Sequence, residues 1–185
     1  RCIAAFAHYQ NIIKNTATYE AVDGIHKVKV TEISSNEYYV ELTMRDILSY
    51  KLENDSLLIN TGSPHYVKKV DDLETLDIIK DGASIRYDKN ISSDGVNVDF
   101  LVNRDGKIHI RTYERGVENE TLACGTGVTA SAIAASLWYG GNNIDIYTQI
   151  AKLNVRFDKD NNTFKNVVLS GPATHVFDGM FIFAK

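Results

Sequence analysis

Glu120-Thr121-Leu122-Ala123-Cys124-Gly125-Thr126-Gly127, running into the Ala- and Ser-rich residues 128–139, decides the reading of this chain. A cysteine stands directly before a Gly-Thr-Gly turn, and the turn opens into an uncharged stretch of helical length. A thiol at a helix N-terminus lies beside unsatisfied backbone N–H groups and the positive end of the helix dipole. Both favour the thiolate, which is the reactive form of cysteine. The same N–H groups can hold a substrate carboxylate. Residues 121–144 carry no charge and are long enough to raise the question of a membrane span. Their load of Gly, Ser, Thr and Asn instead fits a buried helix, so no membrane contact is expected.

Alternation of apolar and polar residues marks strands on both sides of this helix. Val28 and Val30 alternate with lysines, and Tyr38, Val40, Leu42 and Met44 alternate again. Val96, Val98, Phe100 and Val102 lead to a turn at Asn103-Arg104-Asp105-Gly106, and Ile108, Ile110 and Thr112 return as a hairpin. Leu153, Val155 and Phe157, then Val167-Val168-Leu169, predict two more strands, and Val176-Phe177 with Phe181-Ile182-Phe183 a closing one. Residues 71–79 predict a short helix, and residues 51–56 a polar linker or loose turn. Residues 1–10 form a second small-residue helix, and Arg1-Cys2-Ile3-Ala4-Ala5-Phe6-Ala7 aligns in character with residues 129–135, a hint of internal repetition.

A helix without a polar face must be enclosed, and alternating strands can wrap it. The expected fold class is therefore α+β. Two pseudo-symmetric halves each place a curved, mostly antiparallel sheet or barrel around a central helix. Residues 1–50 would be the remainder of the first half, 51–172 the second half, and 173–185 a closing strand that returns to the first. The chain opens at Arg1 without an initiator Met and already inside a helical pattern. The first half therefore reads as incomplete, the downstream part of a longer protein.

The chain has 185 residues, a net charge of -4 and no basic patch interleaved with aromatics, which argues against a nucleic-acid partner. Two cysteines far apart suggest a reducing, cytoplasmic compartment rather than a disulfide scaffold. No histidine pair has metal-ligand spacing, so no metal is expected. His26 and His109, among strand residues, are expected to be exposed, and Trp138 to pack in the core.

The run Glu114-Arg115-Gly116-Val117 with residues 120–127 resembles a signature of the diaminopimelate epimerases. Arg1-Cys2, Thr61-Gly62-Ser63-Pro64-His65, residues 95–100 and Leu169-Ser170-Gly171-Pro172-Ala173 agree with the same family in the same order. The resemblance implies conversion of LL-diaminopimelate to the meso form without a cofactor, in lysine and peptidoglycan precursor synthesis. Two cysteines would face opposite sides of the substrate α-carbon and exchange its proton. Cys124 matches the second of them. Cys2 matches a structural, helix-buried cysteine, with the first catalytic thiol lying in a Cys-Gly-Asn-Gly run upstream of Arg1.

By the same resemblance His65 and Glu114 tune the thiols, and Glu114 also meets the distal amino group. Asn97 and Ser63 touch the distal end of the substrate, and Arg115 clamps its carboxylate as a guanidinium fork can. Gly125 and Thr126 offer backbone N–H groups to the reacting-end carboxylate. Ser63 replaces the family's usual Asn, and residues 117–120 make a loop one residue longer than usual. Members of the family often form homodimers. A proline-racemase-like enzyme of the same fold, or a non-catalytic carboxylate-binding domain, are the competing readings.

Overall fold

The computed structural model describes residues 1–182. In chain order the elements are α1 (Cys2–Tyr9), β1 (Thr16–Ala21), β2 (Gly24–Ser34), β3 (Glu37–Thr43), β4 (Tyr50–Leu52), β5 (Ser56–Asn60), β6 (Pro64–Lys69) and α2 (Ile78–Arg86). They continue as β7 (Asn97–Arg104), β8 (Lys107–Glu114), β9 (Asn119–Thr121), α3 (Gly125–Tyr139), β10 (Asn143–Tyr147), β11 (Lys152–Asp160) and β12 (Thr163–Thr174). Among the described residues these strands form one mixed sheet in the order β1-β2-β3-β12-β11-β10-β8-β7-β6-β5-β4, with β9 attached to β8. The β6–β7 and β8–β10 pairs are parallel, and the other neighbours are antiparallel. The α+β class holds. The sheet is open, so the barrel closure considered from the sequence does not occur.

The helix after Cys124 is the centre of the larger core. Every α3 residue from Gly127 to Ser136 is buried. Its Val128, Ala130 and Ile133 pack with Leu57, Ile59 and Val67 on one side and Ile146, Leu153, Val155 and Leu169 on the other. Small side chains let the strands approach the helix on all sides, which explains the absence of a polar face. The helix ends at Gly140, whose φ of 87° is the left-handed geometry that glycine supplies at low cost. Against α1, a smaller core gathers Ala4, Ala5, Val28, Val30, Val40 and Leu42.

β7 is buried on both faces along Asn97–Val102. Val96, Val98, Phe100 and Val102 pack with α2 through Ile78, whereas Leu101 belongs to the α3 core. The regular apolar alternation seen in the sequence thus faces α2. The opposite face carries Asn97, Asp99 and Leu101 toward α3.

Several local expectations are corrected. Residues 71–77 are irregular, and the helix begins at Ile78, because the Asp77 side chain accepts from Lys80 N at 3.1 Å and caps it there. Of the linker or loose turn expected over residues 51–56, the turn holds over 53–55, where it closes a hairpin of β4 and β5 in which Lys51 pairs Leu58 and Leu52 pairs Leu57. No strand forms over residues 175–182, where Val176, Phe177 and Phe181 are largely exposed, and Phe183 lies outside the described residues. The return to the first strands is made earlier, where Pro172, Ala173 and Thr174 of β12 pair with β3. His26 is buried, not exposed, because both ring nitrogens find oxygen partners. Cys2 is exposed, not helix-buried, since α1 turns Ala4 and Ala5 to the sheet and leaves Cys2, Ile3 and Phe6 on its outer side.

Two α3 side chains, Ser131 and Trp138, carry a buried polar atom without a hydrogen-bond partner among the described residues. Thr129 Oγ1 donates to Gly125 O at 3.0 Å, but Ser131 Oγ is buried without a hydrogen-bond partner among the described residues. Ser131→Ala removes that unsatisfied hydroxyl and adds helix propensity, and is expected to stabilise the chain by about 1 kcal/mol. The urea midpoint should rise with an unchanged slope, and a fall would show that the hydroxyl is satisfied in solution.

Candidate active site

Cys124 occupies the N-cap of α3, with extended backbone angles (φ -114°, ψ 114°), and its side chain makes no capping bond. Its carbonyl accepts from Val128 N at 2.8 Å, the first turn of the helix. The N–H groups of Gly125, Thr126 and Gly127 precede that bond and so have no intrahelical carbonyl to donate to. The residue is 8 % exposed, and its Sγ lies 3.4 Å from Thr126 Oγ1. The thiol is buried and stands at the start of a buried helix, the position in the chain that the sequence predicted.

Thr126 joins the sulfur to the strands. Its Oγ1 lies 2.9 Å from His65 Nε2 and 3.2 Å from Ser63 Oγ. Its carbonyl accepts from Thr61 Oγ1 at 2.8 Å. His65 and Asn97 are register partners in the parallel β6–β7 pair, which brings the Asn97 amide to Pro64 O at 3.0 Å and to Ser63 Oγ at 3.1 Å. Asn97 Oδ1 in turn accepts from Arg115 N at 2.8 Å. Ser63, His65, Asn97, Arg115, Cys124 and Thr126 thus belong to one hydrogen-bonded cluster built by β6, β7, the β8–β9 turn and the start of α3.

His65 and Asp99 are both fully buried, and Nδ1 of the ring lies 2.7 Å from Asp99 Oδ2. Asp99 Oδ1 accepts from Thr112 Oγ1 at 2.7 Å, its antiparallel register partner on β8. Burial alone lowers the imidazole pKa. The charge and hydrogen bond of Asp99, with a further contribution from the Cys124 sulfur, outweigh it and raise the value to about 9. The ring is therefore an imidazolium at neutral pH, clamped between a carboxylate and the Thr126–Cys124 edge. A Cβ on Gly127 would stand 2.4 Å from Asp99 Oδ1 and 3.2 Å from His65 Cε1, so glycine there lets the helix seat directly on the pair.

Glu114 ends β8 directly before Arg115, and its Oε2 accepts from the Thr121 hydroxyl at 2.8 Å, outside the hydrogen-bonded cluster. Arg115 Nη1 reaches Gly95 O at 3.3 Å. The longer loop does not disturb this arrangement. Gly116 and Glu118 take positive φ (93° and 57°), and the Glu118 carboxylate is held by Gly116 N, Arg86 and Tyr87. Residues 119–120 then re-enter β9 in register with Glu114 and Tyr113. Gly125 follows the thiol with its Cα close to Leu169.

Asp99, Thr112 and the Thr126 hydroxyl were not singled out from the sequence as site groups. The available signal was an aspartate inside an otherwise apolar strand, flanked by Val98 and Phe100, where an unpaired carboxylate would be costly. Among the described residues no three His, Cys, Asp or Glu side chains are grouped as metal ligands would be, and no helix is long and apolar enough to cross a membrane.

With the geometry in place, comparison with known proteins gives a consistent result. The sequence model of the family "Diaminopimelate epimerase" matches residues 57–176. A diaminopimelate epimerase of Flavobacterium psychrophilum is 42% identical over 181 residues, covering 96% of this chain and 69% of that protein. One from Aquifex aeolicus is 37% identical over 190 residues, covering 97% and 66%. The chain thus spans about two thirds of the length of these relatives. Among solved structures, a hydroxyproline epimerase from Agrobacterium vitis superposes with a TM-score of 0.71 at 14% identity, covering 94% of this chain and 62% of that one. A predicted epimerase from Pseudomonas aeruginosa superposes with 0.62 at 13%, covering 96% and 73%. These two likenesses speak for the fold alone. The sequence matches go further: the chain belongs to the diaminopimelate epimerase family, which are isomerases.

Proposed function

We propose that this chain carries one half of a two-thiol proton relay that interconverts LL- and meso-diaminopimelate without a cofactor. The observation that carries the reading is Cys124 at the N-cap of α3, 3.4 Å from a hydroxyl that also touches the His65 imidazolium. The α-proton of an amino acid is weakly acidic, so its removal needs a base held in place and stabilisation of the charge that develops. Cys124 supplies the base or, on the return, the acid. The N–H groups of Gly125 and Thr126 face the reacting-end carboxylate and stabilise it as charge builds. His65, protonated and pinned by Asp99, places a positive charge on the same edge.

Asn97, Arg115, Glu114 and Ser63 take the distal end of the substrate. The Arg115 guanidinium suits a second carboxylate, a group that proline-like substrates lack, which favours a dicarboxylate over the racemase alternative. Ser63 stands where its hydroxyl already bridges Asn97 and Thr126, so a serine there keeps the cluster closed in place of an amide. The opposing thiol belongs to the part of the family's length that these 185 residues do not span. The activity would serve lysine and peptidoglycan precursor synthesis in the cytoplasm, with diaminopimelate as the small-molecule partner and homodimers as the assembly.

The test is solvent exchange. The full-length protein, with no added cofactor, is expected to replace the α-hydrogen of diaminopimelate with deuterium from heavy water, followed by proton NMR. A folded full-length sample that leaves that signal intact would remove the mechanism.

A further inference from the structure

One acidic side chain from the first strands reaches the same site and has no part in the cluster above. β1 and β2 pair up to Ala21 and Gly24, leaving Val22 and Asp23 as a two-residue turn. Asp23 Oδ1 lies 3.0 Å from His26 Nε2. The His26 ring is buried, bonds through Nδ1 to Thr43 O at 2.7 Å, and stacks on Tyr19 with 5.4 Å between ring centroids. One oxygen of the carboxylate is thereby fixed to a ring that cannot swing. The other, Oδ2, receives no N–H or O–H from the described residues. It faces the loop that leads into β6: a Cβ on Gly62 would stand 2.6 Å from Asp23 Oδ2 and 3.4 Å from Thr126 Cγ2. The side chain is 21% exposed.

An oriented, half-desolvated carboxylate oxygen beside the start of α3 matches an ammonium group, the acceptor being charged and its lone pairs unused. The carboxylate-directed groups of the site, Arg115 and the α3 N–H groups, would accept any dicarboxylate of suitable length. Discrimination for two amino groups needs two acids, and with Glu114 at the distal end Asp23 is the second one at the site. We propose that Asp23 is a specificity-determining residue that receives one ammonium group of the diamino-dicarboxylate substrate. The inference rests on the reading of the site under Proposed function.

The experiment titrates the isotope-labelled full-length protein with meso-diaminopimelate and with pimelate, which keeps the carbon chain and both carboxylates but has no amino group. The amide signals of Gly62, Gly125 and Thr126 report binding. The parent is expected to prefer diaminopimelate by about tenfold or more, the scale of one charged hydrogen bond. Asp23→Asn keeps the acceptor toward His26 and should bring the two affinities within about twofold of each other, pimelate binding being unchanged. Asp23→Glu should restore part of the preference. A preference that survives in Asp23→Asn, or an equal loss for both ligands, would overturn the inference alone. Failure of both ligands to move Gly125 and Thr126 in the parent would overturn the underlying carboxylate site and this inference with it.

Discussion

Cys124→Ser in the full-length protein is expected to lower the rate of α-hydrogen exchange by about 10²–10⁴-fold, the contribution of a positioned acid/base group. The size of the effect follows from what the substitution leaves intact. Serine differs by one atom and is among the best N-cap residues, so the start of α3 should be as stable or more so. The N–H groups beyond it remain free to take the proposed carboxylate, and His65 still bonds Thr126 and Asp99. What is lost is the sulfur: a hydroxyl is a far weaker acid than a thiol and a poorer partner for proton exchange with carbon. Activity and stability should therefore part company: exchange nearly abolished, urea midpoint unchanged or higher, substrate affinity within a few-fold of the parent. A folded Cys124→Ser protein that exchanges at a rate comparable to the parent would remove Cys124 from the chemistry, whatever its position.

The separation of what was legible in the sequence from what was not has a physical basis. α3 could be read because an uncharged stretch between Glu120 and Asp145 has nowhere to go but inside, and because Gly-Thr-Gly marks its start. The β7–β8 hairpin was equally plain, since its alternation and its Asp105-Gly106 turn agree. β1, β4, β6, β9 and β10 were missed, being short or weakly alternating segments whose partners are distant or come later in the chain; Thr16–Ala21, for example, is a strand because β2 pairs with it. Propensity carries little of that information. In the site, the sequence motifs located Ser63, His65, Asn97, Arg115 and Cys124, and the structure joins them. Asp99 stayed hidden because its meaning depends on register: it matters only once β7 turns that face toward α3 and β8 sets Thr112 opposite. The Asp23–His26 pair was hidden for a similar reason, with His26 taken for an exposed strand residue.

The second large effect should come from Asp99, through stability rather than turnover. Asp99 and His65 are a fully buried pair, and the carboxylate also takes the Thr112 hydroxyl. Asp99→Ala leaves a buried imidazole and a buried hydroxyl without their acceptor, a change expected to cost about 3–5 kcal/mol. Asp99→Asn keeps an acceptor in place and should cost less, which makes it the better probe of charge. In the parent, the folded chain holds the His65 proton with a pKa of about 9 against an ordinary value of 6.5. The folded state binds that proton more tightly than the unfolded state, so the stabilisation is complete below about pH 6.5. It is lost as pH rises to about 9, by an amount on the order of 3 kcal/mol. In Asp99→Asn burial acts on His65 with no carboxylate to oppose it, and the decline across that window should vanish. In Cys124→Ser the decline should persist, because the carboxylate supplies the larger share of the upward shift. Urea titrations at pH 6, 7, 8 and 9 decide the matter: a parent whose stability is flat from pH 6.5 to 9, or an Asn variant with the parent's slope, would mean that His65 is not held as an imidazolium. The positive charge assigned to the edge of the thiol site would then have to come from elsewhere.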